Sequence, residues 1–519
     1  MTSTASNGNI VIIGGGHNGL VCAAYLAKAG RKVTVLEAAD QVGGMAATRE
    51  FAPGYKASCA HLLNLLDKDI SKDLGLESHG LRMAKTGLKT IALAEDTHHI
   101  IISSDSVDGG GLTNEDKAAY KEYRRFMSKF AGVVGGIHNK VPPRITYDRK
   151  DLIPLGKLAL NIRMMGRDDM REFLRIAGIN IYDILKENFD HPLLKGALSL
   201  DAVLGTNSGP RSNNSVFTAL HRMSGNTGGA AGAASIPAGG MGAVTDALAA
   251  AARKAGAEIR TDSPVSSILM EGDVISGVQL ANGEQIAASI VVSNVDPKAT
   301  IMNLLGARHV EAGFARKIGN IRSKGNAAKL HLALNSLPEF TGISRDQLGE
   351  RLLIAPTVEY VERAFNHSKY GEYSALPVAE ITIPTVHDSS LAPDGQHVLS
   401  AIVQYAPREL GVGWSHGKAG FTEELMSLLT AYAPGIRDKV VAAELLTPED
   451  LEHEFRVTGG HWHHGEMSLD QFLMLRPVPK SAQYKSPVDG LYFCSAGCHP
   501  GGGVMGSAGR NAANVVLAN

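Results

Sequence analysis

The apolar positions near the start of the chain follow two different periods. Residues 9–13 read NIVII, a β-branched run typical of a buried parallel strand. Apolar residues then recur at helical spacing through Ala23, Leu26 and Ala27 and stop at Gly30, and KVTVLE forms a second apolar run. The pattern predicts a strand, a helix and a second strand, which together make a βαβ unit.

Three glycines separate the first predicted strand from the helix. Gly14, Gly16 and Gly19 have the spacing GxGxxG, and Glu37 ends the second strand. Glycine permits the tight turn at the first position, close approach of a pyrophosphate at the second and close helix packing at the third. The helix N-terminus offers N–H groups to the phosphates, and Glu37 can accept hydrogen bonds from both ribose hydroxyls. The unit therefore predicts a dinucleotide site.

Later parts of the chain predict further elements. The pattern is mostly helical with polar loops from about 86 to 230 and mixes strands with helices from about 300 to 455. Between them, Gly239–Gly240 precede an Ala-rich helix, a β-meander with a turn at Asn282–Gly283, and a buried strand that ends at Ser293–Asn294. The C-terminus predicts a strand, a small-residue turn and a helix. Because one βαβ unit cannot close a sheet, we expect the later strands to join it.

Composition narrows the class of protein. A chain of 519 residues is too long for one hydrophobic core, so two or more domains are expected. The net charge of −1 and the lack of a basic stripe exclude nucleic acid as an expected partner. Four cysteines are few for this length and indicate a reducing compartment. With no visible signal peptide or membrane-length apolar run, we expect a cytoplasmic location.

One stretch suggests contact with a membrane surface. Residues 152–178 interleave apolar positions with five basic ones, as in helices that lie in a bilayer interface. The basic residues are Lys157, Arg163, Arg167, Arg171 and Arg175. The alternative is a helix pair that packs over a substrate domain.

A second glycine element favours FAD over NAD. Gly43–Gly44 lie six residues after Glu37 and resemble the second glycine pair of the FAD-binding glutathione-reductase-like superfamily, which includes amine oxidases and carotenoid desaturases. The alternative is an ordinary loop with two glycines. Many relatives have an arginine after this pair, whereas this chain has Met45, so Arg49 is a candidate to supply that contact.

Six segments carry a more specific resemblance. They read VIIGGGHNGLVCAAYLAKAG, VGGMAATREFAPGYK, IPAGGMGAV, VVSNVDP, GGHWHHGEMSLDQFLMLRP and LYFCSAGCHPGGGVMGSAGRNAA. Over nearly its full length the chain resembles the phytoene-desaturase-like flavoproteins, especially the branch that contains pyridine nucleotide-disulfide oxidoreductase domain-containing protein 2. The resemblance implies an α/β fold. A Rossmann-like FAD-binding domain would be assembled from residues 1–85, 235–300 and 456–519, beside a mixed α+β substrate domain of residues 86–234 and 301–455.

The resemblance also implies which residues contact FAD. They are Gly14, Gly16, His17, Asn18 and Gly19 at the pyrophosphate, Glu37 and Ala38 at the ribose, Gly43, Gly44 and Met45 on the approach to the flavin, Val265 at the adenine, Ser293 and Asn294 where the chain returns to the dinucleotide, and Gly497, Pro500, Gly501, Gly502, Gly503, Val504 and Met505 beside the flavin ring and ribityl chain. A helix that starts near Val504 would direct N–H groups at the flavin, where negative charge develops on reduction.

Two further residues are candidates for catalysis. Lys329 lies in the strand pattern AAKLHLAL, and flavin amine oxidases carry a lysine in a similar setting that holds a water near flavin N5. A buried lysine would have a lowered pKa and could assist proton transfer, whereas a lysine at a strand edge would face solvent. His61 is either a residue beside the flavin or a packed helix histidine.

Two other groups of residues could bind a metal ion or attach the cofactor covalently. The HWHH run at His461–His464 could bind a metal, but no matching acidic cluster is nearby, so a solvated loop or a loop that lines the substrate site is favoured and no metal is expected. Cys494 and Cys498 are expected to be packing thiols, with covalent attachment of FAD through Cys498 as an alternative.

The residues and the resemblance together predict an FAD-dependent oxidoreductase. It would transfer a hydride between a C–H bond of an apolar, lipid- or polyene-like substrate and flavin N5, with oxygen, a quinone or a separate carrier as electron acceptor. Three alternatives stay open: a flavin amine oxidase, a redox-neutral FAD-dependent isomerase of an unsaturated lipid, and a flavin-binding partner protein without turnover. The sequence leaves the oligomeric state open, including a homo-oligomer.

Overall fold

The structure is a computed structural model that describes residues 8–144 and 149–519. Its strands are β1 (Ile10–Ile13), β2 (Val33–Leu36), β3 (Arg49–Ala52), β4 (Tyr55–Ala57), β5 (Met83–Thr86), β6 (Thr90–Ala92), β7 (Ile100–Ile102), β8 (Val107–Gly109), β9 (Ser235–Pro237), β10 (Glu258–Arg260), β11 (Val265–Glu271), β12 (Val274–Leu280), β13 (Gln285–Ala287), β14 (Ile290–Ser293), β15 (Ala327–Leu334), β16 (Arg351–Ile354), β17 (Val378–Thr382), β18 (His397–Gln404), β19 (Val440–Leu446) and β20 (Leu491–Phe493).

The α-helices alternate with these strands in the N-terminal part and cluster between β8 and β9. They are α1 (His17–Lys28), α2 (Lys68–Asp73), α3 (Asn114–His138), α4 (Arg149–Met164), α5 (Arg167–Gly178), α6 (Ile181–Asn188), α7 (Pro192–Val203), α8 (Ser215–Met223), α9 (Gly242–Lys254), α10 (Ala312–Gly319), α11 (Val358–Ser368), α12 (Trp414–Tyr432), α13 (Ile436–Lys439), α14 (Pro448–Phe455) and α15 (Ser507–Ala518).

A parallel sheet unites strands that are far apart in sequence. Its order is β10-β2-β1-β14-β20. Ile10 pairs with Val33 on one side and with Ile290 on the other, and Val291 pairs with Leu491. Helices α1, α9 and α15 pack together on this sheet, so its apolar strands are buried. This arrangement confirms the predicted Rossmann-like fold; the residue limits given for the domains stay a prediction.

A second, mixed sheet has eight strands in the order β19-β15-β18-β17-β16-β6-β7-β8. Strand β15 lies between β18 and β19 and is buried along its whole length. Three of its strands, β6, β7 and β8, fall in the region expected to be mostly helical. Each has only three residues, too few to show an alternating pattern.

The stretch that interleaves apolar and basic residues forms α4 and α5. Helix α5 packs against α3, where the rings of Phe173 and Phe130 are 5.3 Å apart. Four large apolar side chains of α4 are exposed, namely Leu152, Ile153, Leu160 and Met164. Across the described ranges, no helix combines the length and the apolarity that crossing a membrane requires.

Candidate functional site

A large cavity extends from the parallel sheet to the mixed sheet. Its volume is about 1460 Å³, compared with roughly 300–1,000 Å³ for most small-molecule pockets. The wall includes Gly14 and Asn294, which follow β1 and β14, and Arg351 and Glu380 from the mixed sheet. Ligands of open α/β sheets bind at the carboxyl ends of the strands, so one end of the cavity is where a dinucleotide is expected.

Glu37 fixes the glycine turn and also lines the cavity. Its carboxylate accepts a hydrogen bond from the Gly15 N–H at 2.7 Å and another from the Ala39 N–H at 2.9 Å. A carboxylate has about four acceptor positions, so capacity is left for the predicted ribose hydroxyls. Glu37 therefore has a second role that the sequence did not reveal, which is to hold the phosphate-binding turn in place.

The three glycines of the first motif differ in what a side chain would meet. A Cβ at Gly16 would lie 2.9 Å from Asn294 Nδ2, and a Cβ at Gly19 would overlap the Gly14 carbonyl oxygen. Gly14 itself has a φ of +96°, which side chains rarely tolerate. Gly16 thus gives the backbone room at the cavity, while Gly19 permits close packing of α1 beneath it.

The second glycine pair lies beside the first motif. The Gly43 N–H donates to the Gly15 carbonyl at 2.9 Å, and Gly43 has a φ of +120°. Gly43, Gly44 and Met45 all line the cavity. The two glycine elements therefore form one continuous backbone cradle.

The C-terminal glycine loop meets the cavity over three residues. Gly502, Gly503 and Val504 line it. The helix expected to start near Val504 begins only at Ser507, because Gly506 adopts a left-handed conformation with φ +81° that ends the loop. The expected helix start at Val504 is therefore wrong by three residues, and the N–H groups that would face the flavin stay a prediction.

The residues proposed to contact FAD fall into two groups, those that line the cavity and those that do not. Lining it are Gly14, Gly16, His17, Asn18, Glu37, Ala38, Gly43, Gly44, Met45, Val265, Asn294, Gly502, Gly503 and Val504. Within the described chain the wall does not include Gly19, Ser293, Gly497, Pro500, Gly501 or Met505. Ser293 bonds to Thr300 at 2.7 Å, and Met505 is buried. All of these contacts with FAD stay predictions.

Buried histidines along the wall have free ring nitrogens. His17 Nε2, His463 Nδ1 and His464 Nδ1 have no hydrogen-bond partner among the described residues. Burial lowers the pKa of His17 and of His464 to about 4, and lowers that of His463 well below its ordinary value. Buried polar atoms normally have partners. Together with the glycine cradle, these free neutral imidazoles fit a large polar cofactor such as the predicted FAD.

Arg476 organises the loops that carry those histidines. It is buried, and its guanidinium donates to the carbonyl oxygens of His463 (2.6 Å) and Ala496 (2.8 Å). It also donates to the carbonyls of Glu466, Gln471, Gly465 and Cys498. Burial lowers its pKa to about 10, so it stays charged at neutral pH. Although it lies in a segment that carried the resemblance, nothing local in the sequence marked it.

Lys329 and His61 are in direct contact. Lys329 is fully buried on β15, and its Nζ lies 2.5 Å from His61 Nδ1. His61 lines the cavity from an irregular segment between β4 and α2, so it is not the helix histidine considered above; Lys329 does not belong to the described cavity wall. Burial lowers the pKa of Lys329 to about 7 and that of His61 well below its ordinary value.

Next to His61, four charged side chains form a closed ionic cluster that the sequence analysis missed. Arg351 donates to Glu380 at 2.6 Å and to Asp201 at 2.5 Å, while Arg222 contacts the same carboxylates at 3.1 and 3.4 Å. Burial raises the pKa of Glu380, but the two guanidiniums hold it below its usual value overall. The sequence did contain a feature that could have identified two of these residues. Each is a charged residue in an otherwise apolar strand, with Glu380 within VAEIT and Arg351 at the start of RLLI.

The remaining ligand candidates are placed as follows. Trp462, His463 and His464 of the HWHH run line the cavity. Among the described residues, no group of three or more His, Cys, Asp or Glu side chains could hold a metal ion. The four cysteines are buried and form no disulfide.

Two sequence families match the chain. The family described as "Flavin containing amine oxidoreductase" matches residues 179–517, and the "NAD(P)-binding Rossmann-like domain" matches residues 12–70. The first of these matches covers more than half of the chain.

The chain is also similar to individual proteins of known name. The chain is 34% identical to pyridine nucleotide-disulfide oxidoreductase domain-containing protein 2 of Mus musculus, over 98% of this chain and 93% of the relative. It is 25% identical to the lycopene-forming phytoene desaturase of Pantoea ananas, over 68% and 69%. Cyclohexylamine oxidase from Brevibacterium oxydans has a similar fold, with a TM-score of 0.59, 15% identity and coverage of 98% and 99%.

Proposed function

Because the chain belongs to the flavin-containing amine oxidoreductase family and is an FAD-dependent oxidoreductase, we propose that it transfers a hydride between a C–H bond of an apolar, lipid- or polyene-like substrate and FAD. Bound FAD supplies the hydride acceptor at its N5 atom. The chain's own residues hold the cofactor, exclude water and orient the C–H bond.

The observation that carries the proposal is the continuity of one cavity. It runs from Glu37 and the glycine cradle to an apolar region beside the Gly502–Gly503 loop. That region is lined by Leu62, Leu65, Leu88, Leu198, Leu204, Met223, Ile402 and Met467. Leu65 packs so closely on Gly503 that a Cβ there would lie 2.5 Å from its Cδ1. An apolar substrate would thus lie next to the loop expected to hold the flavin.

The name of one relative supports the same substrate class. The Pantoea ananas protein is a phytoene desaturase, and phytoene is a polyene without charged groups. Oxygen, a quinone or a separate carrier would take the electrons afterwards. The glycine loop and the histidines His17, His463 and His464 would hold FAD.

A flavin amine oxidase is the second candidate, favoured by the family match and by the fold of cyclohexylamine oxidase. Charged side chains also line the cavity, and eight of them are acidic while six are basic. The charge of the wall therefore does not exclude a protonated amine, and an experiment must separate the two candidates.

An anaerobic titration of the FAD-loaded protein separates the two candidates. Phytoene in detergent micelles is expected to bleach the flavin absorption, while putrescine and cyclohexylamine leave it unchanged. Free FAD with the same micelles is the control for non-enzymatic reduction. Bleaching by the amines alone would refute the proposal and establish the amine oxidase.

A further inference from the structure

We propose that His61 is the base that takes a proton from the substrate, and that it passes its own Nδ1 proton to Lys329. This inference rests on the proposed function, because forming a carbon–carbon double bond removes a proton as well as a hydride. It reverses the expectation that Lys329 itself faces the reacting groups.

The placement of His61 is the first argument. Its side chain is only 3% exposed, and the ring lines the cavity. The Nδ1 atom contacts Lys329 behind the wall, which leaves the Nε2 atom on the other edge of the ring. Nε2 has no hydrogen-bond partner among the described residues, and Glu380 Oε1 is 4.0 Å away, too far for a hydrogen bond.

Lys329 is placed to accept a proton through the ring. Its side chain is fully buried, so water has no direct route to Nζ. The ionisable groups that face the pair from neighbouring elements are Cys59, Glu380, Arg351, Arg222, His331 and Arg49. Burial raises the pKa of Cys59 to about 12, so the thiol is neutral. Glu380 is the carboxylate that favours the charged form of Lys329.

The contact between Lys329 and His61 couples two protonation patterns. A protonated lysine can only donate, so it makes His61 Nδ1 an acceptor and places the ring proton on Nε2. A neutral lysine can accept from Nδ1–H, which leaves Nε2 as a free base. The charge on Lys329 therefore decides whether the unpartnered Nε2 atom of His61 is a donor or an acceptor.

The proposed step balances. A substrate C–H bond gives its proton to His61 Nε2, and His61 Nδ1 gives its proton to Lys329 Nζ. The electron pair left on that carbon forms the second bond of the alkene as hydride leaves the neighbouring carbon, with FAD as the oxidant. The pair ends as a neutral His61 and an ammonium at Lys329.

Glu380 does not compete for the role of base. Both guanidiniums of the ionic cluster bind it, and together they outweigh the effect of burial and hold its pKa low. A carboxylate so bound is a weak proton acceptor. It instead stabilises the ammonium that forms on Lys329.

The relay is tested first without substrate, by ¹⁵N NMR of the histidine-labelled FAD-loaded protein. The signal lost in His61→Asn identifies His61. We expect the ring proton to move from Nε2 to Nδ1 as the pH rises through about 7, the pKa of Lys329. In Lys329→Arg, whose guanidinium always donates, the proton should stay on Nε2 at every pH. A single tautomer throughout the titration of the wild-type protein would overturn the relay, whatever the substrate is.

Rates of anaerobic flavin reduction by phytoene provide the second test. His61→Ala is expected to be slower by about 10²–10⁴-fold, with partial rescue by added imidazole. Lys329→Arg should be slowed and should lose the rise in rate near pH 7. Lys195→Met, a change at a buried lysine away from the cavity, is the matched control. Wild-type rates in both His61→Ala and Lys329→Arg would overturn the relay; lack of reduction by phytoene in the wild-type protein would count only against the proposed substrate class.

Discussion

The Nζ atom of Lys329 lies 2.5 Å from the Nδ1 atom of His61, although 268 positions separate the two residues in the chain. The strand that carries Lys329 belongs to the mixed sheet, while His61 follows the short hairpin of β3 and β4. The buried lysine therefore reaches the cavity only through the histidine.

Replacing Lys329 should change how stability depends on pH. Burial lowers its pKa from 10.5 to about 7, so between these values the unfolded lysine binds a proton that the folded one lacks. The free energy of unfolding of the wild-type protein therefore gains up to about 1.4 kcal/mol per pH unit as pH rises through this window. In Lys329→Met this gain is absent. The melting temperature of the variant minus that of the wild-type protein should therefore fall from pH 7 to pH 10. A difference that does not vary with pH would contradict the assignment.

Removing the carboxylate of Glu37 should weaken FAD binding. Glu37→Ala loses the hydrogen bonds to Gly15 and Ala39 as well as the predicted ribose contact. Hydrogen bonds to charged groups contribute about 1.5–3 kcal/mol each, so the dissociation constant should rise by at least about tenfold. The dissociation constant is measured by dialysis, with the fluorescence of the released FAD as the readout. Glu258→Ala on strand β10, outside the described cavity wall, should retain FAD normally.

A methyl group at Gly19 should destabilise the Rossmann-like domain. The added Cβ in Gly19→Ala would overlap the Gly14 carbonyl oxygen, which cannot move without disturbing the glycine turn. We expect a loss of about 1–3 kcal/mol, seen as a lower melting temperature and weaker FAD retention. Gly132→Ala in α3 is the control, because among the described residues the new Cβ would meet nothing within 4 Å beyond the backbone of its own helix and its chain neighbours. Equal melting temperatures for the two variants would refute the packing role of Gly19.

Replacing Arg476 with lysine should destabilise the protein and weaken its retention of FAD. Its guanidinium donates to six carbonyl groups, whereas an ammonium has three donors and no planar fork. Each carbonyl left unpaired costs about 1–3 kcal/mol, so Arg476→Lys should melt earlier and release FAD faster. Arg322→Lys, at an exposed ion pair with Asp470, should change little. A variant at position 476 that retains FAD as well as this control would show that the loops do not depend on the guanidinium.

Helix α4 can be used to decide between the two interpretations of this stretch, membrane contact or a packed helix pair. Leu160 and Met164 are 55% and 67% exposed, and the basic residues Lys157 and Arg163 are exposed on the same helix. We expect co-sedimentation with vesicles of anionic lipid, reduced about tenfold in Leu160→Glu because burial of one leucine contributes about 1.5–3 kcal/mol. Val412→Glu, an equally exposed apolar site elsewhere, is the control. Equal binding by both variants would exclude α4 as the contact.

The sequence by itself determined the cofactor end of this protein. The spacing of Gly14, Gly16 and Gly19, the apolar strands on either side and Glu37 are local features, because a dinucleotide cradle is built from one continuous βαβ unit. The Gly43–Gly44 pair and the Gly502–Gly503 loop were identified the same way, through short motifs that a resemblance carries.

Only the tertiary structure decided the other end. Three sets of contacts join segments that are distant in sequence. They are the pairing of Lys329 with His61, the ionic cluster of Arg222, Arg351, Asp201 and Glu380, and the hydrogen bonds from Arg476 to backbone carbonyls. No local pattern encodes such contacts, because they arise from the register and order of strands in the mixed sheet and from the loops packed against it. The start of α15 at Ser507 shows the same limit, since Val21 and Ile70, both distant in sequence, pack where a side chain at Gly506 would lie.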